Sequence, residues 1–230
     1  MNLLRKWEDL PDFMKCGEVK EYYDILDRKK ISIFFKRLFD YIAGIILLVI
    51  LFIPMMFIAI IVKLDSRGPV FYRQERITRY GKHFKIHKFR TMVVNADKIG
   101  TSVTSKNDNR ITKIGKILRK YRLDELPQIF DLISGNMSLV GTRPEAVKYV
   151  KKYKQEYFAT LLLPAGITSI ASIKFKDEEK LLDKSCDIDQ IYIKEVLPEK
   201  MRYNLESIKK FSLYKELKTI INTLIRVMIS

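Results

Sequence analysis

The chain has 230 residues, a formal net charge of +16 and a pI near 9.7, yet 47% of its residues are hydrophobic. That combination calls for anionic partners, either nucleic acid or an anionic membrane surface with phosphate-bearing ligands. Cys16 and Cys186 are far apart and lack a CxxC context, so they read as free thiols in a reducing compartment, not as a disulfide. No internal repeat or low-complexity tract is present.

Residues 1–31 alternate charge with aromatics (Trp7, Phe13, Tyr22, Tyr23) and read as short amphipathic helices near lipid headgroups. This polar start is unlike a secretory signal, which turns apolar after a short basic region. Residues 32–64 hold an uncharged run from Ile42 to Val62 with Pro54 just past its midpoint. At about 21 residues the run is long enough to cross a bilayer as a helix. Lys36 and Arg37 precede it, and Lys63, Arg67, Arg73, Arg76 and Arg79 follow. Both flanks therefore look cytoplasmic by the positive-inside rule. From residues alone two geometries stay open, a single span kinked at Pro54 and a re-entrant hairpin that returns to the same face.

Residues 65–230 form one domain with its own core. Around Tyr80-Gly81 the β-branched and aromatic residues predict a hairpin pairing Val70–Arg76 with His83–Arg90. A polar loop covers Asp97 to Asn109. Helices follow over Ile111–Tyr121 and Asp124–Ile133, the second ending at Gly135. Thr142 to Glu145 has the form of a capping box with Pro144 near the first helical position, predicting a helix through about Phe158. Leu161 to Phe175, broken by Pro164 and Gly166, looks extended. At the end Leu213, Leu217, Ile220, Ile221, Leu224 and Met228 share one face of a lysine-rich helix. Such a stripe ordinarily faces a core, and beside a membrane anchor it could instead lie on the bilayer. The fold class is α+β and mostly helical: a Pro-kinked membrane helix plus a domain of helices with a small β-hairpin.

The polar cluster most suggestive of chemistry is Arg119-Lys-Tyr-Arg-Leu-Asp-Glu-Leu-Pro-Gln128. Asp124 and Glu125 have a structural reading, since an acid at a helix start satisfies free amides and the helix dipole. Their company argues for more. Lys88, Arg90, Arg110, Arg119, Arg122 and Arg143 fall on several loops and element ends, positions that can converge on one diphosphate. A carboxylate beside such a cluster can attack phosphorus when a metal offsets the charge. Structural ion pairing is the competing reading for each cation. His83 and His87 share a strand face without an evident third ligand, and there is no P-loop or dinucleotide glycine fingerprint.

Taken in order, Lys36-Arg-Leu-Phe-Asp40, Gly68-Pro-Val-Phe-Tyr-Arg-Gln-Glu-Arg76, Lys88-Phe-Arg-Thr-Met92, Asp108-Asn-Arg-Ile-Thr-Lys-Ile-Gly115, Leu118 to Gln128 and Met137-Ser-Leu-Val-Gly-Thr-Arg-Pro-Glu145 form a series. The series resembles the monotopic polyprenyl-phosphate phosphoglycosyl transferases among the bacterial sugar transferases. The match is strong over residues 36–145 and weaker through 164–169 and 192–198.

The resemblance implies transfer of a sugar 1-phosphate from a UDP-sugar to polyprenyl (undecaprenyl) phosphate on the cytoplasmic face of the bacterial inner membrane. This would be the first membrane step of surface glycan assembly. It implies that Asp124 is the nucleophile, that Glu125 assists and binds Mg²⁺ with Asp124, and that the reaction is ping-pong with release of UMP. It also implies a first helix broken at Pro54 and re-entrant. Lys88, Arg90 and Arg143 are assigned to phosphate or nucleotide contacts, with Arg110, Arg119 and Arg122 alongside them. A nucleic-acid partner is not expected, and a homodimer is compatible with the series. The alternative is a membrane-tethered binding protein for anionic lipid or nucleic acid, though the chain shows no recognition element for the latter.

Departures from the family pattern fall at Ile53, where Ser is frequent, at Thr78 in place of Gly, at Thr142 in place of Pro, and in Pro164-Ala-Gly-Ile-Thr-Ser169.

Overall fold

A computed structural model describes residues 4–96, 108–175 and 188–228. Most of the expected loop from Asp97, and Cys186, lie outside them. The first helix, α1 (Gly17–Asp27), follows two short 3-10 turns. Its face of Val19, Tyr22, Tyr23 and Leu26 is buried in the largest core cluster, against Tyr149, Tyr157, Leu162, Leu197 and Met201. The second helix, α2 (Lys30–Asp65), runs 36 residues with Pro54 inside it. Among the described residues it is the one helix long and apolar enough to cross a membrane. Ile42, Ile45, Ile46, Val49, Ile50, Ile53, Phe57 and Ile60 are exposed along it. Its remaining face packs on the domain. Met55 and Val62 are buried with Phe89, Leu118 and Ile129, while Gly44 lies against Leu132 and Ile133.

Strand β1 (Phe71–Ile77) pairs antiparallel with β2 (His83–Phe89) in the register Arg73↔His87, Ile77↔His83. The expected hairpin is present and turns through Tyr80 and Gly81, both at positive φ. Helix α3 (Lys113–Lys120) opens at Thr112, whose hydroxyl accepts the Gly115 amide at 3.0 Å. The expected helix from Asp124 is divided. Leu123–Glu125 forms a 3-10 turn, and α4 (Gln128–Ile133) starts after Pro127, which occupies the cap position without a capping side chain. Asp124 therefore does not cap this helix. Gly135 ends the segment at φ +77, as the C-terminal glycine signal predicts.

After α4 the chain departs further from expectation. Strand β3 (Met137–Val140) pairs in parallel with β4 (Ala165–Thr168), a pairing invisible in the local pattern. Gly141, just past β3, touches Gly166 inside β4, where a Cβ on Gly166 would lie 2.2 Å from Gly141 backbone atoms. The capping box at Thr142 does not form, and the helix predicted through Phe158 is replaced by α5 (Val147–Val150) and a 3-10 stretch over Gln155–Leu161. The cause is Glu145. Its carboxylate is buried, accepts from Tyr192 Oη at 2.7 Å and lies 3.5 Å from Lys200 Nζ, so it is not available to cap. The segment expected to be extended through Phe175 is strand only in β4 and then turns into α6 (Ile170–Lys174), capped by Ser169. Helices α7 (Ile188–Ile191), a π turn over Tyr192–Val196, α8 (Leu197–Lys209) and α9 (Leu213–Met228) complete the fold.

Charged residues in the first turns of α2 clip it to β3. Asp40, 1% exposed, accepts from Ser138 Oγ at 2.7 Å, from the Leu139 amide at 3.0 Å and from Arg37. Arg37 donates to the Met137 carbonyl at 3.0 Å, and Lys36 to that of Val140 at 2.8 Å. A carboxylate this buried persists only with such a set of partners. The Lys36-to-Asp40 motif is thus the joint between the apolar helix and the rest of the domain.

Candidate active site

Asp124 and Glu125 sit on the 3-10 turn between Leu123 and Leu126, two leucines that pack into the cluster shared with α2. The chain enters this turn through Arg122 in the left-handed conformation (φ 56°, ψ 20°), which costs a non-glycine residue of order 1 kcal/mol. That backbone reversal turns Asp124 inward to 7% exposure. Its Oδ1 is buried and has no hydrogen-bond partner among the described residues. Burial raises the Asp124 carboxyl above its ordinary range, with Glu125 adding to the rise, while Lys88, Arg119 and Arg122 act in the opposite direction.

Glu125 differs from its neighbour. It accepts from Lys88 Nζ at 2.8 Å and from the Arg143 guanidinium. Burial alone would push its carboxyl up, yet Arg143 and Lys88 hold it well below the usual carboxylate range. Lys88 is itself lowered by burial, opposed by the attraction of Glu125. Two adjacent acids are thereby driven apart, one paired and held ionised at neutral pH, the other desolvated and underbonded. Separation of this kind is how a pair of carboxylates is given two different roles. Gln128, one turn beyond Asp124, is 1% exposed with an unpartnered Nε2. Sequence reasoning passed over it, because a glutamine in a helix carries no signal until its burial is known.

The expected cations divide. Lys88 from β2 and Arg143 from the loop after β3 converge on Glu125, while Arg119 and Arg122 act on Asp124 through their charge. Arg119 Nε also donates to Thr91 Oγ1 at 3.1 Å. Arg90 is placed elsewhere. Its guanidinium closes the end of α2, donating to the Ser66 carbonyl at 2.6 Å and Ser66 Oγ at 2.9 Å, and fits against Gly68. Arg110 forms a bidentate pair with Asp108 and donates to the Ala96 carbonyl at 2.8 Å. These two hold the frame around the site. Beside Arg143 a small, shallow cleft is lined by Thr78, Thr142, Glu145, Tyr153 and Thr160. Thr78, the departure noted above, donates to the Asn136 carbonyl at 2.6 Å and accepts the Ala165 amide at 3.1 Å, so it ties the hairpin to β4.

No group of three or more His, Cys, Asp or Glu among the described residues forms a metal cage. His83 pairs with Glu75, and His87 bonds Asp131 through both its ring and its amide. The unpartnered Asp124 oxygen beside Glu125 suits a cation that brings water and substrate oxygens for most of its coordination, the habit of Mg²⁺.

Fold and site define a domain carried on a long apolar helix, with an unequal acidic pair framed by cations where the two join. The chain belongs to the bacterial sugar transferase family, whose model matches residues 31–230. It is 37% identical over 202 residues to a UDP-glucose:undecaprenyl-phosphate glucose-1-phosphate transferase of Klebsiella pneumoniae, covering 85% of this chain and 40% of that protein. It is 33% identical over 195 residues to a UDP-N-acetylgalactosamine-undecaprenyl-phosphate N-acetylgalactosaminephosphotransferase of Aeromonas hydrophila (83% and 43%). It is 36% identical over 171 residues to a galactosyl transferase of Streptococcus agalactiae (70% and 38%). The chain thus spans about 40% of the length of these relatives.

Proposed function

We propose that the chain transfers a sugar 1-phosphate from a UDP-sugar to undecaprenyl phosphate at the cytoplasmic face of the bacterial inner membrane, beginning assembly of a surface polysaccharide. The observation that carries this reading is the buried Asp124 carboxylate, whose Oδ1 has no partner among the described residues, beside the Lys88–Glu125–Arg143 ion triad.

In the first half-reaction an Asp124 oxygen attacks the phosphorus bearing the sugar. An O–P bond forms to Asp124, the bond to the UMP oxygen breaks, and UMP departs. In the second, an oxygen of the lipid phosphate attacks the same phosphorus and the Asp124–phosphorus bond breaks. Lys88, Arg119, Arg122 and Arg143 offset the repulsion between an anionic nucleophile and an anionic substrate. Asp124 and Glu125 are the residues that would hold Mg²⁺, which would supply further neutralisation. Glu125, kept ionised by its two cations, holds Lys88 and Arg143 in place.

Monotopic placement is supported by the way both halves of α2 meet one domain. Lys36, Arg37 and Asp40 bind β3, and beyond Pro54 Met55 and Val62 pack against Phe89, Leu118 and Ile129. Asp65 accepts the Ile114 amide at 3.4 Å. A straight 36-residue helix is about 54 Å long, more than a bilayer core. Both of its ends belong to the same side.

The test is incubation of detergent-solubilised protein with undecaprenyl phosphate, Mg²⁺ and a panel of UDP-hexoses and UDP-N-acetylhexosamines, following UMP. Release is expected with at least one sugar and is lost in Asp124→Asn. Wild-type protein without lipid should exchange labelled UMP into the matching UDP-sugar. Turnover without that exchange refutes the aspartyl intermediate.

A further inference from the structure

Gln128 opens α4 almost wholly buried, and its Nε2 has no hydrogen-bond partner among the described residues. An amide N–H sealed from water and left unmade is rare in a folded protein. The chain winds without a break from the acidic turn into this helix. Leu126 and Pro127 are right-handed, the Leu126 amide bonds the Leu123 carbonyl, and the Ile129 amide bonds the Leu126 carbonyl. Asp124, Gln128 and Asp131 therefore fall at i, i+4 and i+7 on one buried side. Asp131 is satisfied by the His87 ring and amide. The other two are not, and their unmade atoms are complementary: an acceptor on Asp124 and a donor on Gln128.

A cation accounts for the unmade acceptor but not for the donor. Lys88, Arg119, Arg122 and Arg143 bring donors only, and a metal ion cannot accept a hydrogen bond. The acceptor one turn away, itself unmade, is Asp124 Oδ1. We infer that Gln128 is the positioning residue of Asp124: with substrate bound, its Nε2–H donates to Asp124 Oδ1, directly or through one water, and turns Oδ2 toward phosphorus. Hydrogen bonds to a reacting group are often long or unmade before substrate arrives and tighten in the complex. The terminal torsion of an aspartate is broad, so the carboxylate needs a second contact to hold its plane. A carboxylate oxygen has two lone pairs, and this bond leaves one on Oδ1 for a cation. The inference rests on the proposed chemistry at Asp124 and adds the group that aims it.

The experiment compares the wild-type full chain in detergent with Gln128→Met, which keeps the length and loses the donor. Gln128→Asn keeps the amide and draws it back by one methylene. In Gln128→Met, kcat should fall about 10- to 100-fold while KM for the UDP-sugar stays within about twofold. Exchange of labelled UMP should slow by the same factor. Its melting temperature should not fall, because the amide it removes has no bond to lose in the resting protein. Gln128→Asn should lie between the two in rate. An unchanged kcat in Gln128→Met overturns the inference. So does a raised KM with kcat kept, which would assign the amide to the diphosphate. A melting temperature lowered in both variants in step with their rates would make Gln128 a packing residue and overturn it too. Wild-type turnover with unchanged kcat in Gln128→Met refutes this inference alone, whereas a wild type without turnover refutes the chemistry and this inference with it.

Discussion

Asp124→Asn should abolish turnover and make the protein more stable. The wild-type carboxylate is 7% exposed, and its Oδ1 receives no hydrogen bond from the described residues. Leaving a buried acceptor unsatisfied costs about 1–3 kcal/mol, more when it is charged. The amide is isosteric and uncharged, but it retains an acceptor and forgoes the attraction of Lys88, Arg119 and Arg122. The gain should therefore lie near the low end, about 1 kcal/mol. In a chain of this size that raises the melting temperature by about 2–4 °C.

The gain must also depend on pH in a stated direction. Because the folded-state pKa is raised, the ionised carboxylate destabilises the fold above that pKa, and the penalty disappears as pH falls through it. The asparagine variant has no such group. Thermal unfolding of both proteins in one detergent, from pH 8 downward, should show a gap that is widest at neutral pH and closes in acid. kcat/KM of the wild type should fall over the same interval, as the nucleophile is protonated. A variant less stable than wild type at pH 8, or a gap that does not change with pH, refutes the reasoning.

Glu125→Gln removes the anion between Lys88 and Arg143 and should cost about 3 kcal/mol in denaturant unfolding, with loss of turnover. Because the Glu125 carboxyl is held well below its ordinary range, the gap to wild type should stay constant from pH 8 to about 5 and close only in stronger acid. Asp40→Ala strands Arg37 and frees the Ser138 hydroxyl and Leu139 amide, a loss of about 3–5 kcal/mol that limited proteolysis should reveal as early cleavage between α2 and β3. Gly115→Ala replaces the weaker helix former, a gain of about 1 kcal/mol. It also sets a Cβ 2.1 Å from the Thr91 carbonyl oxygen, an overpacking cost of about 1–3 kcal/mol. The backbone clash should dominate, lowering the melting temperature and, through the Arg119–Thr91 bond, the rate.

What was legible in the sequence followed periodicity and punctuation. The apolar run, the hairpin about Tyr80-Gly81 and the glycine stop at Gly135 each declare themselves within a few residues. The β3–β4 pair was not legible, because parallel pairing joins residues 28 positions apart (Met137 with Ala165) and depends on two glycines that look like ordinary loop residues. Thr142 to Glu145 was misread for a related reason. Its local pattern suits a capping box, but Tyr192 and Lys200, remote in sequence, claim the glutamate. The acid pair could be named from its motif, while the inequality of its members required burial. Arg90 and Arg110 look like Lys88 and Arg143 in the sequence, and only their partners separate frame from site.

Those partners also explain why the apolar helix and the acidic turn are one device. Asp124 is reached through Leu123 and left through Glu125 and Leu126, and both leucines pack where Leu118 and Ile129 meet Met55 and Val62 of α2. Arg90, two residues beyond Lys88 and just past the end of β2, closes the end of α2 while Lys88 binds Glu125. A shift of the helix against the domain would therefore move Asp124 from one side and Lys88 from the other. The helix fixes the height of Asp124 relative to whatever surface its exposed face occupies. For an acceptor whose phosphate cannot leave the headgroup layer, that height is the approach distance.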